Sequence, residues 1–125
     1  MYTSLASSQM KPSSTAIVAT AVILGFTHPA LGSIMYWADQ NDGAVLRANL
    51  DGTGQQVLIN VGSPTTTGIA LDLVSDQMFF TNQGSSGNIE RANLDGTDVT
   101  PVVTGGVSPF GIALDITGNE MYWTV

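Results

Sequence analysis

The chain has 125 residues, ten acidic and three basic, for a formal net charge of −7, with no cysteine and a single histidine. That length holds one small domain at most, and the missing cysteines exclude disulfides, thiolate zinc sites and a cysteine nucleophile. All ten acids lie after residue 38, where only Arg47 and Arg91 oppose them; such a chain lacks the basic footprint a nucleic-acid binder needs and is repelled by an anionic membrane surface.

Residues 1–32 read as an export signal. Lys11 supplies a positive start, Ala16 to Phe26 form an unbroken run of apolar and small residues, and His28-Pro29 end it. Ala30-Leu31-Gly32 then offers small residues where a signal peptidase cuts, with Ser33 following. Residues 1–9 add nothing to this layout, so Met10 is an alternative start. The apolar run is shorter than the roughly 20 residues of a membrane span; a retained anchor is the competing reading. His28 acts in either case as a breaker of the run, so no histidine is left downstream as a general base or metal ligand.

From Ser33 onward the chain repeats. Met35-Tyr36-Trp37 returns as Met78-Phe79-Phe80 and as Met121-Tyr122-Trp123, 43 residues apart each time. RANLDGT occurs at 47–53 and 91–97, and GIALD at 68–72 and 111–115. A period in the low forties made of strand-like pieces is the signature of β-propeller blades. In the complete unit, GIALD, the Met-Phe-Phe stretch, NIERANL and the region Val99 to Thr104 read as four short antiparallel strands. Asp95-Gly96 is a tight-turn dipeptide, and Gly105-Gly106 and Ser108-Pro109 close the unit. The same scheme gives residues 34–60 the second to fourth strands of one blade and residues 111–125 the first two strands of another.

The repeated polar residues invite chemical readings. Asp39-Gln40-Asn41-Asp42-Gly43 resembles the start of a calcium loop, but its glycine comes one residue early and no bidentate glutamate follows; a solvated turn accounts for it. Asp72 and Asp115 recur at the end of GIALD, where they serve either as caps of backbone amides or as acids around a central ion. Arg47 and Arg91 recur at one blade position, as a structural ion pair, a stack on an aromatic ring of the neighbouring blade, or a ligand contact. Trp37 and Trp123 read as core. There is no nucleophile elbow and no phosphate-binding glycine loop. No residue is assigned as catalytic, cofactor-binding or metal-ligating, and no cofactor is expected.

Met35-Tyr36-Trp37-Ala38-Asp39, Met78-Phe79-Phe80-Thr81-Asn82 and Met121-Tyr122-Trp123-Thr124-Val125, with GIALD before and RANLDGT after, resemble the YWTD repeats of the low-density lipoprotein receptor family, also called class B repeats. The resemblance covers Ile34 to Val125. It implies an all-β fold of four-stranded antiparallel blades, six in a complete ring. Ala38, Phe79-Phe80, Asn82 and Val125 depart from the family pattern, which weakens transfer of residue roles. The resemblance further implies a secreted or cell-surface, non-enzymatic module that binds another protein through its loops. The alternatives are a propeller hydrolase of the lactonase kind with a central metal, and a structural envelope or matrix protein. Two blades' worth of sequence does not close a ring. The expectations are therefore a piece of a longer propeller protein, a homotrimer closing one ring, or a product without a stable fold.

Overall fold

The computed structural model describes residues 22–23, 34–62, 65–83, 87–106 and 108–125. The expected leader, with its start at Met10 and its breaker His28, lies outside the described residues except for Val22 and Ile23. These two form a short strand, β1 (Val22–Ile23).

The described residues are all β and antiparallel. The first sheet joins β1 to β2 (Ile34–Asp39), β3 (Ala44–Asn49) and β4 (Gln56–Asn60), in that order. The second sheet is β5 (Thr66–Asp72), β6 (Gln77–Asn82), β7 (Asn88–Asn93) and β8 (Thr100–Val103), again in chain order. The third pairs β9 (Ile112–Asp115) with β10 (Glu120–Trp123). Every strand expected from the repeat is present. Val22 and Ile23, which the leader layout includes, pair with Tyr36 and Met35 beside β2.

Registers in the two larger sheets match. Arg47 lies opposite Tyr36, and Arg91 opposite Phe79. Each fourth strand carries an irregularity at the same place, next to Val45 in one sheet and Ile89 in the other. Bulges there turn an outer edge away from further pairing, and Pro101 in β8 removes a donor besides.

Alternation sorts the side chains between neighbouring blades. Tyr36, Ala38, Val45 and Ile59 of the first sheet meet Ile69, Met78, Phe80 and Ala92 of the second in one buried cluster. Phe80, Met78 and Tyr36 are at most 1% exposed. Full burial of such a side chain contributes about 1.5–3 kcal/mol, which makes the seam between blades the main source of cohesion. Trp37 is buried in a smaller cluster with Ala44, Leu46 and Ala48, as expected of a core residue. Trp123, also expected in the core, is 40% exposed, in a sheet of two described strands.

A threonine clasp joins the second blade to the third. The hydroxyl of Thr81 accepts from the Gly68 amide at 2.7 Å and donates to the Phe110 carbonyl at 3.0 Å. The Thr67 hydroxyl lies 3.1 Å from that carbonyl and 3.0 Å from Thr81 Oγ1. Gly68 is required here: a Cβ would stand 2.6 Å from the Phe110 carbonyl oxygen. The third blade repeats half of the arrangement, with the Gly111 amide donating to Thr124 Oγ1 at 3.0 Å. Ala38 holds the same motif position in the first blade and has no hydroxyl to contribute.

Candidate functional site

Antiparallel order divides the turns between two ends of the sheets. One end carries the described parts of the connections after the second and fourth strands: 40–43, 61–62, 65, 83, 87, 104–106 and 108–111. The other carries the turns after the first and third strands of each blade: 50–55, 73–76, 94–99 and 116–119. The second end concentrates the acids. Asp72, Asp76, Asp115 and Glu120 flank the first-to-second turns, and Asp51, Asp95 and Asp98 lie in the third-to-fourth turns. No basic residue lies in any of those four turns.

Local hydrogen bonding explains why these turns form. Asn49 and Asp51 bracket the first RANLDGT hairpin. The Thr53 amide donates to Asp51 Oδ1 at 2.9 Å, the Thr53 hydroxyl donates to the same oxygen at 2.7 Å, and Asn49 Nδ2 donates to that hydroxyl at 3.0 Å. The second copy reproduces the network: Thr97 amide and hydroxyl on Asp95 Oδ1 at 3.0 and 2.6 Å, and Asn93 Nδ2 on the Thr97 hydroxyl at 2.9 Å. Gly52 and Gly96 take φ of 83° and 89°, the region that favours glycine. Motif identity thus reflects one turn built twice.

The recurrent Asp72 and Asp115 cap backbone amides. Asp72 Oδ1 accepts from the Val74 and Ser75 amides at 2.9 and 3.2 Å, and Asp115 Oδ1 from the Gly118 amide at 2.9 Å. Asp39 does the same for Asn41 at 2.9 Å and Asp42 at 3.3 Å, so the Asp39–Gly43 stretch is a capped turn. Among the described residues, no three His, Cys, Asp or Glu side chains gather as a metal site.

These bonds set the charge state of the face. The hydroxyl and then the amide of Thr53 hold Asp51 below the ordinary 3.8, and Thr97 does the same for Asp95, with a smaller contribution from the Arg47 charge. At Asp72, burial works to raise the value and is outweighed by hydrogen bonds from Ser75 and Val74, leaving it lowered. These carboxylates are charged at any pH near neutrality. The hydrogen bond to Glu120 raises the Tyr122 phenol above 10.0.

Arg47 donates from Nε to Gln56 Oε1 at 3.0 Å, within its own sheet. In register, each arginine lies opposite an aromatic residue of its own blade, Tyr36 for Arg47 and Phe79 for Arg91.

Large apolar side chains stand exposed among the acids. Val74 is 83% exposed, Leu73 48%, Ile116 43%, Val99 42% and Leu50 40%. A cleft of about 170 Å³ opens between the second and third blades, lined by Asp72, Phe79, Val102, Asp115, Ile116 and Glu120. The sequence alone does not say which face binds. The available signal was the dipeptide Leu73-Val74, two aliphatic residues in a turn where polar ones are the rule.

No family model matches the chain. In sequence it is similar to protein cueball of Drosophila sechellia and of Drosophila simulans, each 33% identical over 94 residues, covering 72% of this chain and 14% of the relative. Protein cueball of Drosophila grimshawi is 36% identical over 95 residues, covering 72% of this chain and 15% of the relative. The chain therefore spans a small part of the length of the curated relatives it matches. In structure it is similar to a chain in the crystal structure of a nidogen/laminin complex, with a TM-score of 0.68, 25% identity, and coverage of 72% of this chain and 35% of that one. With the sheet order described above, this likeness identifies the fold as YWTD-like β-propeller blades.

Proposed function

We propose that the chain is part of a secreted or cell-surface, non-enzymatic β-propeller module that binds another protein. The observation that carries this reading is the structural likeness to a chain from a nidogen/laminin complex, which is an assembly of proteins. The chemistry of the described residues agrees with it: the repeated aspartates cap turns, and the repeated threonines bind backbone. Rigid blades that present loops are a common scaffold for recognition. The leader layout of residues 1–32 supports export. The short span of this chain within its relatives supports further blades elsewhere in a longer polypeptide.

The test is affinity capture with the full chain from extracellular fluid of its source, followed by titration of the captured protein. The reading expects one protein bound saturably, and no lactone hydrolysis or stoichiometric calcium uptake by the purified chain. Saturable turnover of a lactone, or one calcium held per chain, would replace the binding module with the hydrolase reading. The intact mass of the exported polypeptide decides separately whether residues 1–32 are removed.

A further inference from the structure

The end of the blades that carries the first-to-second turns has two properties that belong together. Its apolar residues are exposed where nothing in the fold requires them. Leu73 and Val74 lie in the turn of the four-stranded second blade, so their 48% and 83% exposure does not follow from the small third sheet. Ile116 opens the corresponding turn of the third blade and is 43% exposed. Asp72 and Ile116 line one cleft, which makes the two turns neighbours on a single surface. Exposed aliphatic side chains in adjacent turns weaken solubility without aiding the core, and a partner that covers them resolves the conflict.

Charge then decides which partner fits. Asp76, Asp115 and Glu120 stand exposed around the aliphatic residues, and no basic residue of these turns offsets them. An acidic or neutral apolar surface would leave those carboxylates desolvated without a counter-charge, which is costly. A surface with lysine or arginine beside apolar side chains satisfies both features: its aliphatic parts cover Val74 and Ile116 while its cationic ends reach the carboxylates.

Building on the protein-binding reading, we propose that this end of the blades is the docking face and that its partner is a protein surface interleaving basic and apolar residues. The opposite end carries a half-exposed Phe110 but no pair of exposed aliphatic residues in one turn, and Gln40, Asn41 and Asp42 form a polar turn there.

A synthetic peptide of alternating lysine and leucine is the probe, with alternating glutamate and leucine as its counterpart. Binding to the full chain is read by fluorescence anisotropy near physiological salt. The lysine–leucine peptide binds and the glutamate–leucine peptide does not. Val74→Ser combined with Ile116→Ser weakens binding by about tenfold, in the range of anchor residues at interfaces. Asp76→Asn, at a φ of 54° that asparagine tolerates, weakens it less and lowers its salt dependence. Circular dichroism confirms that each variant is folded. Equal binding of both peptides, no binding of either, or an unchanged affinity of the Val74/Ile116 variant overturns the proposal. So does an equal loss from Gln40→Ala with Asp42→Asn at the opposite end. A protein captured as described above that the Val74/Ile116 variant still holds, but the opposite-end variant releases, leaves the module reading intact and moves the face.

Discussion

At the residue scale, two threonines with equal burial carry opposite predictions. Thr66 and Thr81 are both fully buried. The Thr81 hydroxyl serves the Gly68 amide and the Phe110 carbonyl, so Thr81→Val strands the Gly68 amide inside the seam and leaves the carbonyl to Thr67 alone. That costs about 1–3 kcal/mol. Among the described residues, the buried Thr66 hydroxyl has no hydrogen-bond partner. Thr66→Val keeps the shape and removes the unpaired group, so it is neutral or stabilising by up to about 1 kcal/mol. Urea midpoints of the two variants against the parent chain decide the matter: Thr81→Val falls, Thr66→Val does not. Loss of stability in both would mean that Thr66 has a partner after all. This contrast was invisible in the sequence. Thr81 belongs to the repeated motif strand and Thr66 does not, but neither position says which hydroxyl meets a carbonyl, since that depends on how the third blade docks.

At the scale of elements, the RANLDGT hairpin was legible because every one of its signals is local. Asp-Gly fixes the turn, Asn and Thr supply the side-chain bonds, and both copies obey the same rule. The two copies differ only in their surroundings. A Cβ on Gly52 meets nothing within 4 Å, whereas on Gly96 it meets the Leu58 carbonyl oxygen of the neighbouring blade at 2.7 Å. Gly52→Ala therefore suffers from its positive φ alone, about 1 kcal/mol. Gly96→Ala adds a backbone displacement and costs about 2–4 kcal/mol. Equal thermal shifts in the two variants would show that the Leu58 contact yields freely. The hairpins also set a pH response. Thr53 and Thr97 bind the ionised forms of Asp51 and Asp95, lowering them below 3.8. Groups lowered on folding add stability above the unfolded value of 3.8 and lose it as pH falls through their lower folded values. Hairpin amides of Thr53 and Thr97 are thus protected from exchange at pH 5 and lose protection below about 3.8, while Asp51→Asn with Asp95→Asn flattens that pH dependence.

At the scale of the molecule, the 43-residue period made the blades legible and could not show what lies beside β2. The second and third blades each open with a copy of GIALD; no copy precedes Met35. Periodicity therefore leaves the inner side of the first blade without a strand, and the leader layout claims residues 1–32 for export. The structure pairs Val22 and Ile23 with Met35 and Tyr36 on that side. The pairing is two residues long, against five Cα pairs between β5 and β6. The buried cluster described between the blades is built from Ile34 onward, and β1 adds contacts to β2 and to β5 of the second blade. A chain beginning at Ser33 is expected to keep the β-sheet circular dichroism of the full chain. Hydrogen exchange at Met35–Tyr36 rises in the shorter chain, because the backbone group that met β1 now faces water, while exchange along β6 stays unchanged. Unfolding of the shorter chain as a whole would make residues 1–32 part of the domain and remove the export reading. Identical exchange at Met35–Tyr36 in both chains would show that β1 does not hold that edge in solution, leaving the inner side of β2 open for a strand from elsewhere.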